Sequence, residues 1–569
     1  MLWLPIKHVN FMTLTILHII DTTGPGGAET IFTQLAADSK KRGFRSLALI
    51  RGSGWVKTEL ERLGIETIVR DCKGSLNVGF LKFLIQLLVR EKVNVVQSHL
   101  LGSNVYASLA GFITLTPVIS TFHGFVDISA KEKFSALKFL SIRLGSKKII
   151  AVTDQIKKML SGNRWLNPKK IITIANGVDT DFFSVKKSHS PADNSVFRIG
   201  CLGNVRRAKN YPLALAVLKV LREKGWSVEL HIAGDDTNSL AAECKALATQ
   251  FGVSDHVVWQ GFISDACSYL HSLDVFLLSS TSEGHPLALT QAMSCGLPIV
   301  VTPCGVEHII QHSVNGLVSA NLEPQVVADN LKQLLESEHL RADLGSNAAV
   351  SARSLYSLNA TMLAYQKEYY LNLRSPLYKP DTYLKDKYGG RRGFLRSVVD
   401  YFNLHFLKNN KYMSFPANVE RVVFVCKGNI CRSALAEWAF RRHTPFPTAS
   451  FGVDTTTGCP ANPRITSIAA LFDIDLLEHK TTAQSGFVPA KNDVYVCVEP
   501  AHALIIEQTM PGQSIFYLGA MLDNPCTYLH DPHTTSDNFA LRSVVTIITA
   551  VERLALLANT RIEGSKRNV

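Results

Sequence analysis

A cysteine and an arginine bracket a short loop towards the carboxyl end of the chain. Cys426 ends the apolar run VVFVC, and Arg432 follows after the five residues KGNIC. Backbone N–H groups in such a turn, with the amino terminus of the next helix, form a concavity that suits a phosphate dianion, and Gly428 gives the turn the flexibility it needs. The same field favours a thiolate, and a planar guanidinium can hold two phosphate oxygens. The spacing therefore predicts a nucleophilic cysteine in a phosphate-binding loop.

The loop VCKGNICRS follows the first strand of a region of about 140 residues, a comfortable size for one domain. It resembles the signature of the low-molecular-weight protein tyrosine phosphatases, and SFGVDTTTGCPANP, LLEHKTT and DVYVCVEPAH are similar to further segments of that family. The resemblance implies that Asp531, in the Asp-Pro pair of LHDPHTT, is the general acid for the tyrosyl leaving group. The implied phosphate-binding residues are Lys427, Gly428, Asn429, Ile430, Cys431 and Ser433.

Within that loop the resemblance implies individual roles. Asn429 would brace the loop, Ser433 would donate a hydrogen bond to the Cys426 thiolate, and Cys431 would trap oxidised Cys426 as a disulfide. Simpler alternatives remain open at this point: Cys431 as a buried structural thiol, and Asp531-Pro532 as a turn.

Three features bear on the substrate. Lys427 and His533 stand where the family more often has an uncharged residue and a tyrosine, which leaves substrate preference open. Arsenate reductases share the fold but pass oxidation to a closely spaced cysteine pair downstream. Here Cys497 and Cys526 are far apart in sequence, which argues against that activity.

The first part of the chain carries a second set of motifs. A glycine-rich turn, GPGGAET at residues 24–30, follows an apolar run, where backbone at a helix amino terminus can approach a diphosphate or an acceptor. Each further motif is a weak signal by itself: HG at His123, NGVDTDFF from Asn176, GNVRRAKN from Gly203 and SSTSEGHPLALTQAMSCGLPIVVT from Ser279.

In their order and spacing these motifs resemble the retaining glycosyltransferases of the GT-B fold, of the type that includes sucrose synthase and many bacterial polysaccharide enzymes. The resemblance implies that Glu283 contacts the donor sugar, while Lys209 and Arg206 neutralise the diphosphate leaving group without a metal ion or other cofactor. The implied nucleotide-sugar residues are Gly26, Gly27, His123, Arg206, Lys209, Glu283, Gly284, Leu287 and Gln291.

Two positions depart from that family's pattern. Gln291 replaces the second glutamate of the E-x7-E segment, and Asn204 replaces an arginine, for which Arg206 could substitute. An amide oxygen can still accept a ribose hydroxyl, but without charge assistance. Taken singly, Glu283 could merely cap the next helix and His123 could be a core histidine.

The elements that must position these residues are short apolar runs alternating with amphipathic stretches, which predicts parallel sheets covered on both faces. We expect an α/β chain with two Rossmann-like domains of GT-B type and a flavodoxin-like phosphatase domain that has a four-stranded parallel sheet. The predicted boundaries are an acceptor-side domain at 13–185, a nucleotide-sugar domain at 196–375, a basic linker at 376–418 and the phosphatase domain at 419–560.

The composition and the apolar stretches indicate the cellular location and the kinds of partner to expect. The apolar stretch Met12 to Ile20 is followed at once by Asp21 and a glycine-rich loop, whereas a signal peptide needs a basic start and a small-residue cleavage site, so we expect a buried first strand there. Phe80 to Val89 is interrupted by Lys82 and Gln86 and is too short to span a bilayer, and eleven scattered cysteines indicate reduced core thiols. We therefore expect a cytoplasmic protein. The net charge of +13 is most simply a solvated surface, so no nucleic acid is expected as a partner.

The predicted linker carries eight lysines and arginines against three acidic residues. Its apolar residues from Phe394 to Phe406 recur at helical spacing, which predicts an amphipathic helix resting either on the anionic inner face of the plasma membrane or on a neighbouring domain.

Two functional hypotheses follow from the motifs. The first is a bifunctional enzyme of bacterial capsule or exopolysaccharide synthesis, which uses a nucleotide sugar, a glycan or lipid-linked acceptor, and a phosphotyrosine protein such as a bacterial tyrosine kinase. The second is a phosphatase whose glycosyltransferase-like domains have lost catalysis and act as a sensor or scaffold. The departures from the family's pattern at Gln291 and Asn204 support this second hypothesis.

Overall fold

The structure is a computed structural model that describes residues 14–72, 77–124, 134–185, 196–373, 380–405 and 411–566. The chain divides into two compact units, of which the first spans Leu14–Glu368 and the second begins at Tyr369. All of the strands in the described ranges pair in parallel within three sheets. The predicted α/β class is thereby confirmed.

The first sheet of the first unit has seven strands in the order β3-β2-β1-β4-β5-β6-β7. Its strands are β1 (Thr15–Ile20), β2 (Arg45–Ile50), β3 (Glu66–Val69), β4 (Val95–His99), β5 (Val118–Phe122), β6 (Ser146–Ala151) and β7 (Ile171–Thr173). Its helices are α1 (Gly27–Lys41), α2 (Trp55–Arg62), α3 (Val78–Arg90), α4 (Leu101–Thr114), α5 (Ser135–Gly145) and α6 (Asp154–Gly162). Every residue of β1 and β4 is buried, as expected for central strands covered on both faces.

The second sheet of the first unit has six strands in the order β10-β9-β8-β11-β12-β13. Its strands are β8 (Phe197–Leu202), β9 (Val228–Ala233), β10 (Val257–Gly261), β11 (Val275–Leu278), β12 (Ile299–Val301) and β13 (Leu317–Val318). The helices are α7 (Tyr211–Glu223), α8 (Ser239–Gln250), α9 (Ala266–His271), α10 (Leu287–Ser294), α11 (Pro324–Glu336), α12 (Glu338–Leu355) and α13 (Leu358–Leu371). Along β11 successive side chains enter two different core clusters, so both faces of this sheet are packed.

The second unit contains a four-stranded sheet in the order β15-β14-β16-β17. Its helices begin with α14 (Pro380–Tyr388) and α15 (Arg391–His405), which precede the sheet. The strands are β14 (Arg421–Cys426), β15 (Thr448–Gly452), β16 (Asp493–Cys497) and β17 (Ser514–Tyr517), and the remaining helices are α16 (Arg432–His443), α17 (Pro463–Ala470), α18 (Pro500–Thr509) and α19 (Asp537–Lys566). The predicted four-stranded parallel sheet is confirmed.

Two helices occupy the segment that the sequence marks as a basic linker. Helix α15 covers most of the predicted amphipathic stretch, whereas Phe406 lies outside the described residues. Four apolar side chains of α15 are exposed: Leu395, Val398, Val399 and Phe402. No helix in the described ranges combines the length and the apolar character needed to cross a membrane.

Candidate active sites

In the second unit, β14 delivers Cys426 to the carboxyl edge of the sheet. The strand is central and its last five residues are buried. Helix α16 begins at Arg432, so the loop between the two elements joins a buried strand to a helix amino terminus. The end of β15 lies close beneath this loop, because a Cβ on Gly452 would lie 2.8 Å from the carbonyl oxygen of Lys427 and 3.0 Å from the backbone nitrogen of Asn429. The loop therefore has the strand-to-helix form of an anion-binding turn.

The Cys426 sulfur is buried and lies within hydrogen-bond distance of two donors. The hydroxyl oxygen of Ser433 is 2.9 Å from the sulfur, and the backbone N–H of Asn429 donates to it over 3.3 Å. The Asn429 side-chain amide donates to the same Ser433 oxygen over 2.9 Å, which leaves the hydroxyl hydrogen available for the sulfur. The sulfur therefore has two hydrogen-bond donors directed at it.

Asn429 organises the loop through both its backbone and its side chain. Its φ is +50°, a left-handed conformation that asparagine tolerates better than most residues. Its side-chain oxygen accepts the backbone N–H of Thr482 over 2.8 Å, and its amide nitrogen also donates to the Ser450 hydroxyl over 2.7 Å. These partners leave one orientation for the amide group.

A histidine holds the loop from the other side. His479 Nε2 donates to the backbone oxygen of Asn429 over 2.8 Å, while His479 Nδ1 accepts from the indole N–H of Trp438 over 3.2 Å. The two contacts fix the neutral tautomer, and burial lowers the pKa of His479 in agreement with that state.

Arg432 is 1 % exposed, and its side chain meets the candidate general acid. One terminal nitrogen donates to an Asp531 carboxylate oxygen over 2.7 Å, and the other donates to the backbone oxygen of Leu529 over 2.9 Å. Its Nε is buried and has no partner among the described residues, so one donor remains for a phosphate oxygen. The structure thus places the predicted anion clamp and the predicted acid side by side.

Glu499 belongs to the same network and is missed by the sequence analysis. Its carboxylate lies 3.4 Å from the guanidinium of Arg432 and 3.0 Å from His502 Nε2. Although burial opposes ionisation, the hydrogen bond to His502 and the charge of Arg432 lower the pKa of Glu499 to about 2. Its position in the sequence is informative, because Glu499 lies two residues after the end of β16, the strand next to β14, and so close to the carboxyl edge of the sheet where the loop lies.

The remaining loop residues differ in exposure. Cys431 is buried, and burial raises the pKa of its thiol, while all eleven cysteines of the chain are free. Lys427 is exposed and lies 3.5 Å from an Asp454 oxygen. Gly428 and Ile430 are part of the turn, and His533 is exposed, with its backbone N–H donating to Asp531 over 3.0 Å.

In the first unit, a lysine and a glutamate meet where the strand order of the second sheet reverses. Lys209 follows β8 and Glu283 follows β11, and these strands are neighbours. The Lys209 ammonium lies 2.7 Å from the Glu283 carboxylate, which also accepts from the Ser280 hydroxyl over 2.6 Å. Both charged side chains are largely buried, at 20 % and 13 % exposed. Two of the predicted donor-site residues are therefore brought together, and Ser280 is an additional member.

Loops of the first sheet approach this pair within the same unit. A Cβ on Gly284 would lie 2.4 Å from the backbone oxygen of His123, so only glycine fits there. Gly27, the first residue of α1, lies near Leu287, the first residue of α10, with 3.9 Å between its ideal Cβ position and the leucine side chain. Gly26 is the residue that precedes α1. The predicted glycine turn and the predicted E-x7-E segment thus face each other.

Asn204 has a structural role that explains its departure from the family's pattern. Its amide nitrogen donates to the backbone oxygen of Pro25 over 3.0 Å, and its side-chain oxygen accepts the Asp235 N–H over 3.0 Å. The residue ties the loop after β8 to the glycine-rich turn. Arg206 is exposed and makes no ion pair in the described part of the chain, and Gln291 is half-buried on α10.

His123 forms a pair with a second histidine that the sequence analysis does not single out. Its Nε2 lies 2.8 Å from His99 Nδ1, and the two rings are stacked. Burial lowers the pKa of His123 to about 4 and holds the pKa of His99 well below its usual value. Neutral histidines can share one proton in such a contact.

Fold and sites together define two kinds of enzyme domain in one chain, a sugar-nucleotide transferase and a cysteine phosphatase. Residues 25–182 match the family model of Glycosyltransferase Family 4, and residues 184–350 match that of Glycosyl transferases group 1. Residues 421–560 match the low molecular weight phosphotyrosine protein phosphatases. The chain joins glycosyltransferase domains of these families to a low-molecular-weight phosphatase domain, which confirms both predicted resemblances.

Curated relatives match the glycosyltransferase part. The capsular polysaccharide biosynthesis glycosyltransferase CapM of Staphylococcus aureus is 23% identical over 296 residues, which cover 48% of this chain and 76% of that protein. The UDP-Gal:α-D-GlcNAc-diphosphoundecaprenol α-1,3-galactosyltransferase of Escherichia coli is 24% identical over 255 residues, or 42% of this chain and 63% of that protein. N-acetyl-α-D-glucosaminyl L-malate synthase of Bacillus anthracis is 27% identical over 268 residues, or 45% and 68%.

Solved structures support the fold of the same part. A glycosyltransferase of Rickettsia africae aligns with a TM-score of 0.57 and 18% identity, covering 63% of this chain and 98% of that one. HepE of Anabaena, solved with UDP and glucose, aligns with a TM-score of 0.56 and 19% identity, covering 62% and 99%. At these identities the likeness concerns the fold alone.

Proposed function

We propose that the second unit is a cysteine-dependent protein tyrosine phosphatase with Cys426 as nucleophile. The observation that carries the proposal is that Arg432 lies 2.7 Å from Asp531 at the end of the loop that begins with Cys426. The thiolate attacks phosphorus, so a sulfur–phosphorus bond forms while the bond to the tyrosyl oxygen breaks, and Asp531 gives that oxygen its proton. Water then attacks the phosphocysteine, Asp531 takes its proton, and inorganic phosphate leaves.

A pair of cysteine variants tests this activity. Cys426→Ser should lower the hydrolysis of an aryl phosphate and of a phosphotyrosine peptide by on the order of 10⁴-fold or more, because a serine hydroxyl is not ionised at neutral pH. Cys459→Ser, an exposed cysteine of the same unit, is the control and should keep wild-type activity. Full activity in Cys426→Ser would exclude the proposed nucleophile.

For the first unit we propose sugar transfer from a nucleotide sugar with retention at the anomeric carbon. The Lys209–Glu283 pair supports it, since a cation beside the leaving diphosphate and a carboxylate near the sugar are the two charges such a transfer needs. Residues 13–185 would form the acceptor side and residues 196–375 the donor side. HepE is solved with UDP and glucose, and the Escherichia coli relative is named for a UDP sugar and a lipid-linked diphosphate, so we propose a UDP sugar and a glycan or lipid-linked acceptor.

Calorimetry tests the donor site without knowledge of the acceptor. UDP, GDP and ADP, with matching sugar nucleotides, are titrated into the full chain and into Glu283→Ala. Tight binding of UDP, with a sugar-dependent contribution that Glu283→Ala loses, is the expected result, and binding of GDP or ADP in its place would contradict the proposed UDP sugar. If none of them binds, the first unit is a scaffold that has lost its donor site.

We further propose that the two activities serve bacterial capsule or exopolysaccharide synthesis, with a phosphotyrosine protein such as a tyrosine kinase as the phosphatase substrate. CapM of Staphylococcus aureus, a capsular enzyme by name, supports the setting. The exposed apolar residues of α15, beside Arg391 and Arg392, support a peripheral contact with an anionic inner membrane surface. Co-sedimentation with anionic but not with neutral vesicles, reduced by Val398→Asp, tests that contact.

A further inference from the structure

The helical hairpin of α14 and α15, residues 380–405, lies outside the matched phosphatase residues 421–560 yet contacts the loop that carries Asp531. We name residues 526–536 the acid loop. The hairpin provides two buried carboxylates, Asp386 at 7 % and Asp400 at 8 % exposed. A buried carboxylate is costly unless donors satisfy its oxygens, so the partners of these two residues indicate what the hairpin holds.

Asp400 and Asp386 hold opposite ends of the acid loop. Asp400 accepts the backbone N–H of Thr527 over 3.1 Å and also accepts from the Thr527 hydroxyl. Asp386 accepts the Ser536 hydroxyl over 2.7 Å and the side-chain amide of Asn538 over 3.2 Å. The two contacts lie four residues before and five residues after Asp531. The loop is therefore anchored on both sides of its acid by one external element.

The turn of the hairpin packs against the residue next to the acid. A Cβ on Gly389 would lie 2.3 Å from the His530 ring, and one on Gly393 would lie 3.3 Å from it. Gly389 also has a φ of +73°, which favours glycine. The His530 ring thus packs directly against the backbone of the two glycines, where a larger side chain would clash with it.

Helix α15 also connects to the charge network of the site. Arg396 lies 3.8 Å from one oxygen of Glu499, whose other oxygen lies 3.4 Å from Arg432. The Arg396 guanidinium stands over the Tyr528 ring at 5.6 Å from its centre. The hairpin consequently contacts the acid loop at Tyr528 and shares a carboxylate with the anion clamp.

From these contacts we propose that the α14–α15 hairpin is a positioning element of the phosphatase site, which fixes the acid loop so that the Asp531 carboxyl can reach the leaving oxygen. The inference rests on the proposed phosphatase function. The hairpin touches neither phosphorus nor the nucleophile. Asp386 and Asp400 bond to the acid loop and to Asn538 but not to Arg432 or Cys426, so loss of either carboxylate should act mainly on the step in which the bond between phosphorus and the aryl oxygen breaks and Asp531 transfers its proton to that oxygen.

The test measures kcat/KM of the full chain with aryl phosphates whose phenols differ in pKa. A poor leaving group depends on the acid and a good one does not. Asp400→Ala should lower kcat/KM by on the order of 10-fold to 100-fold for unsubstituted phenyl phosphate, the effect of a small misplacement. For strongly activated nitrophenyl phosphates the change should be less than about threefold, since no proton is needed.

Two further variants keep the test decisive. Val488→Ala changes a side chain of the same unit that is 77 % exposed and lies outside the hairpin and the acid loop, and it should match wild type at every leaving group. Arg396→Gln removes a side chain that is 64 % exposed, so the fold should survive, and it should steepen the leaving-group dependence in the same direction as Asp400→Ala.

The possible outcomes separate the two levels of the proposal. If wild type hydrolyses no aryl phosphate, the phosphatase function itself fails. If wild type is active but Asp400→Ala and Arg396→Gln keep its leaving-group dependence, or lose activity equally with all phenols, the positioning role is overturned. A steeper dependence in both variants, with unchanged alkylation of Cys426 by iodoacetate, is the result we expect.

Discussion

The two candidate sites occupy equivalent places in their sheets but are built in different ways. Both lie where the strand order reverses, at β8 and β11 in the first unit and at β14 and β16 in the second. In the second unit one loop, from Cys426 to Ser433, contains the proposed nucleophile, the hydrogen-bond donors to its sulfur and the proposed anion clamp. In the first unit the site is assembled from loops of two sheets, with Lys209 and Glu283 separated by 74 positions.

Because the two sites are built differently, different contacts are needed to keep each site's geometry. The loop from Cys426 to Ser433 is contiguous, and its further hydrogen bonds come from Ser450, His479 and Thr482 of the same unit, so its geometry depends on one sheet and on the loops at its carboxyl edge. A site shared between two sheets also depends on the loops that bring them together, such as the bond from Asn204 to the Pro25 oxygen. The predictions below test whether the two sites behave in these two ways.

After the loss of Cys426 itself, the largest effect is expected at the proposed general acid. Asp531→Asn should lower kcat/KM for phenyl phosphate by about 10²-fold to 10⁴-fold, because an amide cannot protonate the leaving oxygen. Kinetics with a series of phenols checks it, and the loss should shrink as the phenol becomes more acidic. Asp523→Asn, an exposed carboxylate paired with Arg553, is the matched control. An equal loss for every phenol would remove Asp531 from the acid role.

The next effect concerns stability in the first unit as the pH is lowered. Burial lowers the pKa of His18 and His285 to about 3 and that of His123 to about 4, from 6.5 when exposed. Over this pH range the histidines bind protons in the unfolded chain but stay neutral in the folded unit. Folding stability is therefore lost as the pH falls from about 6.5 towards 4. Each unit of pKa difference corresponds to about 1.4 kcal/mol.

A single variant tests that account. Both ring nitrogens of His285 lack a partner in the described part of the chain. His285→Phe removes the titrating group at similar volume and should raise the melting temperature of the first unit at pH 5 relative to wild type, with little change at pH 8. Glu499 behaves differently. Because its pKa is lowered in the folded chain, the folding stability that it contributes is lost only as the pH falls from about 4.5 to about 2. Calorimetric scans in which His285→Phe and wild type lose stability equally would contradict the proposed cause.

A smaller effect is expected at the donor pair. Lys209→Met and Glu283→Gln should each weaken nucleotide binding by about tenfold, since a largely buried charge is left without its partner. The double variant should resemble either single one, because contacting residues are coupled. Calorimetric titration of all four proteins measures the coupling. Strictly additive losses would mean that the two residues act separately.

The smallest effect is expected at the rim of the phosphatase loop. Lys427 and Asp454 are 65 % and 74 % exposed, and exposed pairs contribute at most about 1 kcal/mol. Lys427→Ala should change kcat/KM by less than about threefold at high salt, and its effect should grow as ionic strength falls. A large, salt-independent loss would place Lys427 inside the contiguous loop network.

The same contrast explains what the sequence could predict. The loop from Cys426 to Ser433 and the motifs around Glu283 could be identified because their chemistry lies within short stretches. Strands β3 and β13 carry little signal in the sequence, because they are short edge strands of four and two residues that form no long apolar run.

Contacts between distant residues could not be predicted in the same way. The partners of Asp386 and Asp400 lie more than a hundred positions away, so their spacing in the sequence carries no signal. Glu499 is an intermediate case, because its place directly after β16 pointed to the sheet edge but not to Arg432. Asn204 was interpreted only as a missing cation, whereas the structure gives it two loop contacts.

One crossed experiment tests the central claim that this chain carries two separate chemistries. Phosphotyrosine hydrolysis and nucleotide-sugar binding are measured on wild type, Cys426→Ser, Glu283→Ala and the double variant of the full chain. The account predicts that Cys426→Ser loses hydrolysis and keeps sugar-dependent binding, that Glu283→Ala does the reverse, and that the double variant loses both. Wild type that binds no nucleotide sugar, or loss of both properties in either single variant, would contradict it.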